Sequence, residues 1–375
     1  MPRPRHAATR PRRSLGTRVG IFLLSLLVVV IVSALAFTFF SGSPKAEVPA
    51  TNTATQEHSR SKSPTSSPVD SPHLTVGLHG DANTIVRRGD PYIESGAYCI
   101  DDRSGMVEKV ETTGKVDTKR VGEYTVYYRC LSDNAQAKVH RKISVVAPES
   151  RDWAKEGLPV MMYHNVYAPQ NPPSQLNNNF ISIPKLEEQL EWLKTNQFYY
   201  PSFSELRAWA DKQIALPAKS VILTFDDGDP GFLQHGRALL DKYQIPATSF
   251  LIGTLAASQQ TIRNNPSRYV DYQSHSWDMH KPGGHIGHGG LISALNKDQI
   301  KADLTKAIDL VKSRDAFAYP FGDVTEEGLA AVKELDIKAA FTTKYGKVRP
   351  GDDFRQYPRV RVSGDQSLQS YIASL

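Results

Sequence analysis

At 375 residues the chain is long enough for more than one folded core, and its 45 Lys and Arg exceed its 39 Asp and Glu, giving a formal net charge of +6. Arg3, Arg5, Arg10, Arg12, Arg13 and Arg18 account for that excess, so the remainder of the chain is close to neutral. The basic balance therefore makes no case for nucleic-acid binding.

Residues 1–18 hold these arginines and no acid, and Val19 to Phe40 follows without a charge. About 22 such residues cross a bilayer at ~1.5 Å per residue, so residues 19–40 read as a single transmembrane helix. The positive-inside rule keeps the arginine tail cytoplasmic and places everything after Phe40 outside the cell. A signal cleaved near Ala34-Leu-Ala36 is the alternative, although a secretory apolar region is usually shorter. Residues 41–72 are rich in Ser, Thr and Pro and read as a linker without a core.

Residues 73–148 contain short alternating runs, notably Gly122 to Cys130 and Lys138 to Val146, separated by polar turns. That is the pattern of a small β-sandwich. Tyr98 to Gly105 and Val121 to Tyr128 resemble bacterial Ig-like surface modules, and the resemblance implies a spacer, with glycan binding as the weaker reading. Both cysteines, Cys99 and Cys130, fall here, and on an exported module a disulfide is expected. Two separate buried thiols are the alternative.

From residue 158 onward, strands and helices alternate, which indicates α/β. Leu186, Leu190 and Leu193, and later Ile300, Leu304 and Val311, mark two amphipathic helices. β-Prone runs cover Ala247 to Ile252, Phe317 to Tyr319 and Ala339 to Thr342. Trp192, Trp209 and Trp277 read as core, with Trp277 alone placed to line a cleft, and His235 reads as part of a surface helix.

Val221 to Phe225 is a short apolar run that ends in Asp226-Asp227-Gly228, the pattern of a buried strand with two carboxylates at its carboxyl end. Ligand sites of α/β proteins collect at such ends. Adjacent residues of an extended segment point in opposite directions, so the two acids are expected to do different work. His275 and His280 lie five apart, a spacing that a helix would splay by roughly 140°, so they converge from a loop or strand end. One carboxylate and two imidazoles suit Zn²⁺ or another borderline divalent metal, with positions left open for water and substrate. In Pro282 to Gly290, the many glycines suggest a mobile loop that could close over a ligand, and His285 and His288 lie close enough to compete as metal ligands, although a solvent-exposed, incidental pair is the favoured reading.

Thr224 to Gly228, His275 to His280 and Tyr319 to Gly322 together resemble the first three motifs of the polysaccharide deacetylase (NodB-homology) family, over roughly residues 158–375. The resemblance implies an irregular (β/α) barrel and metal-dependent removal of acetyl groups from N-acetylated sugars. It implies Asp226 as general base and Asp227, His275 and His280 as metal ligands. Phe321 becomes the backbone N–H donor to the oxyanion, since Pro320 has no N–H.

Three departures refine this reading. The family's His pair is usually four apart, and the wider spacing here resembles the branch acting on poly-N-acetylglucosamine. The usual third-motif Arg would fall at Ala318, so Arg359 or Arg361 is expected to orient Asp226. No His follows residue 322 to supply the usual general acid. The poly-N-acetylglucosamine branch begins with a strand ending in Tyr-His, which matches Tyr163-His164 and makes His164 the expected acid, in protonated form.

The resemblance thus implies a membrane-anchored extracytoplasmic N-deacetylase acting on poly-N-acetylglucosamine or on peptidoglycan. Zn is the expected metal, with Co, Ni, Mn or Fe as alternatives, and no oligomeric state is assigned. An inactive cell-surface glycan-binding protein on the same scaffold is the competing reading, encouraged only by the missing Arg at position 318.

Overall fold

Short strands, most of them buried along their length, are what a parallel sheet covered on both faces requires. In the computed structural model, which describes residues 69–255 and 258–375, they close into a barrel. In chain order its strands are β1 (Val160–Tyr163), β2 (Ile222–Phe225), β3 (Ala247–Leu251), β4 (Val270–Ser274), β5 (Ala316–Ala318), β6 (Ala339–Tyr345) and β7 (Tyr357–Arg361). Every neighbouring pair is parallel, and β7 returns to β1 through Val360 opposite Met161. The register sets Tyr163 opposite Phe225, so His164 and Asp226 leave adjacent strand ends together.

Helices cover the outside. Helix α1 (Ile183–Thr195) buries Leu186, Leu190 and Leu193, and α3 (Lys297–Val311) buries Ile300, Leu304 and Val311, the faces expected from their spacing. Between them α2 (Phe203–Ala210) begins with a reciprocal cap in which Ser202 and Glu205 satisfy each other's backbone N–H groups. His235 lies in a π-helical turn, Phe232–Gly236, and not on a regular α-helix. Trp209 is buried and Trp192 packs at the edge of the core, as expected.

The preceding module is a two-sheet sandwich. One sheet pairs Val69–Asp70, Asn83–Arg87, Val110–Thr113, Gly122–Ser132 and Ala135–Val146; the other pairs Leu74–Leu78, Ala97–Asp101 and Gly105–Met106. Its first strand, Val69–Asp70, lies inside the stretch read as linker. Cys99 and Cys130 form a disulfide that ties one sheet to the other, so separate thiols are ruled out. Among the described residues no helix is long and apolar enough to cross a membrane; residues 1–18, the span Val19 to Phe40 and most of 41–72 lie outside them.

The spacer expectation for this module does not match its packing, because the module docks on the floor of the barrel. Tyr98 donates to the Ser267 carbonyl across 3.1 Å, Ser95 Oγ meets Ser202 Oγ at 2.7 Å, and the Asp81 N–H donates to the Tyr200 carbonyl across 2.7 Å. His79 enters between two acids at the amino ends of β4 and β5: Nδ1 lies 3.0 Å from Asp271, and Nε2 lies 3.7 Å from Asp315. Arg141, with no exposed surface, donates to the carbonyls of His79 and Gly96 and holds this loop in place. Tyr98 and Ile100 join the same apolar cluster as barrel residues. A spacer would leave the floor open; this module closes it.

Burial alone would push the His79 pKa down, but Asp271 and Asp315 outweigh it and raise it above 6.5. A raised imidazole contributes stability that is complete below about pH 6.5 and is lost as pH rises through the folded-state value. His79→Gln should therefore cost about 1–3 kcal/mol in acid and less in alkali. Thermal melts at pH 6 and pH 8 check this, and an equal loss at both would remove the charged His79 from the account.

Candidate active site

Asp226 follows β2, with only 2 % of its surface exposed, and its N–H donates to the Tyr163 carbonyl on β1 across 3.0 Å. A carboxylate there needs a partner. Arg359, on β7 and wholly buried, supplies it with two parallel hydrogen bonds of 2.7 and 2.6 Å to the two Asp226 oxygens. Its Nε donates to the Thr342 carbonyl across 3.0 Å, so the guanidinium also reaches β6. Burial alone would raise the Asp226 pKa, but Arg359 holds it well below the usual carboxylate range. Of the two arginines expected to orient Asp226, Arg359 is the one paired with it. Arg361 donates instead to Asn179 at the cavity wall.

Asp227 departs from strand geometry. Its φ is +73°, in the left-handed region, so it does not point away from Asp226 as alternation predicts, and both carboxylates face one cavity. Its Oδ1 lies 3.4 Å from His275 Nε2 and 3.3 Å from His280 Nε2. His275 follows β4 directly, and its Nδ1 donates to the Ala318 carbonyl across 2.7 Å, which leaves Nε2 as a lone pair aimed at Asp227. Asp227 Oδ1 is buried with no hydrogen-bond partner. Three lone-pair atoms within 4.8 Å of one another call for a cation among them, and one carboxylate with two imidazoles fits a divalent metal.

The five-residue spacing is accommodated by a left-handed turn at Ser276, with φ +71°. The Asp303 carboxylate on α3 accepts the N–H groups of Trp277 and Asp278 at 2.7 and 2.8 Å, fixing the loop between the two imidazoles. His280 then stacks on the Phe321 ring, with centroids 4.6 Å apart. Burial raises the Asp227 pKa, but the neighbouring His275 brings it below its ordinary value. His275 moves the other way: burial lowers it, and Asp227 with Asp226 raises it overall.

The cavity has a volume of about 320 Å³ and brings together His164, Asp226, Asp227, His275, His280 and Phe321. Burial, partly opposed by Asp226 and Asp227, holds His164 below 6.5. Asn179, Thr343 and His288 also line the cavity; Asn179 and Thr343 carried no sequence signal, and His288 was read as incidental. They sit in polar stretches without a motif. Trp277 does not line it. The loop 282–290 is closed by its own hydrogen bonds: its ends pair at Pro282 and Gly290, and the N–H groups of Gly283 and Gly284 both donate to the Gly289 carbonyl.

The family described as Polysaccharide deacetylase matches residues 213–340, and that described as Bacterial surface protein, Ig-like domain, matches residues 76–145. The chain is similar to the poly-beta-1,6-N-acetyl-D-glucosamine N-deacetylase of Staphylococcus epidermidis, with 27% identity over 205 residues, covering 51% of this chain and 71% of the relative. The protein of that name from Staphylococcus aureus strain MRSA252 is 26% identical over 210 residues, covering 51% and 70%. Among solved structures, the Streptococcus pyogenes deacetylase PplD in complex with acetate shares the fold, with a TM-score of 0.50 and 20% identity over 59% of this chain and 99% of that one.

A parallel barrel with this cluster at its carboxyl mouth, in the company of these relatives, defines a hydrolase acting on carbon–nitrogen bonds other than peptide bonds. The barrel carries a polysaccharide deacetylase domain, and a bacterial Ig-like domain stands ahead of it.

Arg359→Met would leave the Asp226 carboxylate buried and alone, which should destabilise the protein by about 3–5 kcal/mol at neutral pH. Without the guanidinium the Asp226 pKa rises above 3.8, so the variant's deficit should shrink as pH falls toward that value and the orphaned acid takes a proton. Urea titrations at pH 7 and pH 4.5 measure both effects.

Proposed function

We propose that the protein removes acetyl groups from N-acetylglucosamine residues of an extracytoplasmic polysaccharide while tethered to the cell membrane by its N-terminal segment. The observation that carries this reading is the convergence of Asp227, His275 and His280 beside an Asp226 clamped by Arg359. The names of the staphylococcal relatives favour poly-N-acetylglucosamine over peptidoglycan as the polymer. The missing Arg at position 318 no longer favours an inactive glycan-binding protein, because Arg359 supplies the pairing that residue would have made.

Asp227, His275 and His280 would hold the metal, which when bound acidifies a water and polarises the acetamide carbonyl. Asp226, kept ionised and aligned by Arg359, is placed to take a proton from the attacking water. His164 leaves the neighbouring strand end and is the group that delivers a proton to the departing nitrogen. The Phe321 N–H is assigned to the oxyanion, on a backbone whose φ of +60° turns the ring onto His280.

Acetate release from β-1,6-linked N-acetylglucosamine oligomers should depend on bound metal, with Zn the expected ion. His280→Ala should abolish release and lower metal content in elemental analysis; full occupancy with normal turnover would sink the ligand assignment. For the tether, Val19 to Phe40 should hold the protein in the membrane fraction while protease added to intact cells removes the barrel. A soluble protein in the medium beginning after Ala36 would show a cleaved signal instead.

A further inference from the structure

The segment after His280 is built around one carboxylate. Asp323, 4 % exposed and just beyond the Phe321–Gly322 turn, accepts the His288 N–H at Oδ1 and the Gly290 N–H at Oδ2, both at 2.8 Å. The glycines make room for it. A Cβ at Gly287 would lie 1.9 Å from Asp323 Oδ1, one at Gly290 would lie 3.0 Å from Oδ2, and one at Gly284 would lie 1.9 Å from the Gly290 carbonyl oxygen. Gly287 and Gly289 also have positive φ, +51° and +79°. The loop thus wraps an internal anion with its own N–H groups, an arrangement that fixes its shape.

What the fixed loop presents is His288. Its side chain lines the catalytic cavity and is exposed, and its ring makes no hydrogen bond among the described residues. His285, three residues earlier on the same loop, does not line the cavity. Strand order places the loop between β4 and β5, whereas Arg361, held by Asn179, stands on β7 beside β1, across the seven-stranded mouth. A chain of sugars lying over Asp227 therefore meets a polar group on either rim.

We propose that His288 is a substrate-contacting residue that hydrogen-bonds the sugar next to the one being deacetylated, and that Asp323 is its positioning residue. This rests on the deacetylase reading above. An imidazole on a fixed loop offers one donor or acceptor to a saccharide hydroxyl or acetamide at little entropic cost. Its effect belongs to binding of an oligomer and not to the chemical step.

The test uses the full chain in detergent with metal bound, comparing β-1,6-linked N-acetylglucosamine dimer and hexamer. His288→Ala should raise KM for the hexamer by about five- to thirtyfold, the loss of one polar contact, with kcat within about threefold and metal content unchanged. His288→Gln should recover part of that loss, Asp323→Asn should raise KM in the same direction, and His285→Ala should leave both constants as they were. A hexamer KM within twofold of wild type in His288→Ala, or equal losses in the Ala and Gln variants, would overturn the proposal. If the wild type releases no acetate, the deacetylase reading fails, and hexamer binding by calorimetry still decides this one: His288→Ala must bind more weakly than His285→Ala, and equal or absent binding overturns it.

Discussion

A guanidinium with no exposed surface and a carboxylate with almost none meet inside the barrel, and the rest of the site is arranged around that pair. Arg359 reaches from β7 to Asp226 beyond β2 and to the Thr342 carbonyl on β6, so it spans the place where the last strands close on the first. Burying two charges is costly unless every lone pair and N–H finds a partner. The bidentate geometry meets that condition, and Thr224 Oγ1 adds a further acceptor at 3.2 Å. A pair this constrained leaves Asp226 one charge state and one orientation.

Two neighbouring carboxylates acquire different chemistry from this constraint. Asp226 is saturated by a cation of the protein itself, whereas Asp227, turned by its left-handed backbone, keeps an oxygen free of hydrogen bonds among two imidazole nitrogens. One acid is therefore built to stay charged, the other to share its charge. The Ala318 carbonyl, Asp303 and the Phe321 ring do the remaining work of holding His275 and His280 in place. None of these supports would be conspicuous in a list of polar residues.

Much of this was legible in the sequence wherever burial was achieved with apolar side chains. Val221 to Phe225, Ala247 to Ile252 and the two leucine- and isoleucine-bearing helices follow directly from periodicity. Strand β4 did not stand out, because Val270–Ser274 buries Asp271 and Gln273, and those side chains meet partners remote in sequence: His79 for the acid, the Ala316 N–H for the amide. The direction of Asp227 was misjudged for a similar reason, since the strand ends at Phe225 and alternation no longer applies beyond it. The docking of the Ig-like module left no pattern at all, because His79 and Tyr98 look like ordinary residues of a small β domain until the barrel floor is brought against them.

That docking has a mechanical consequence. The module occupies the amino ends of the strands, while every reacting group stands at the carboxyl ends. The enzyme is thus gripped from behind. Polar bonds and a shared apolar cluster, not a flexible hinge, join the handle to the barrel, so the mouth keeps a set heading relative to the module. The opening itself stays clear of the support on which the barrel is held.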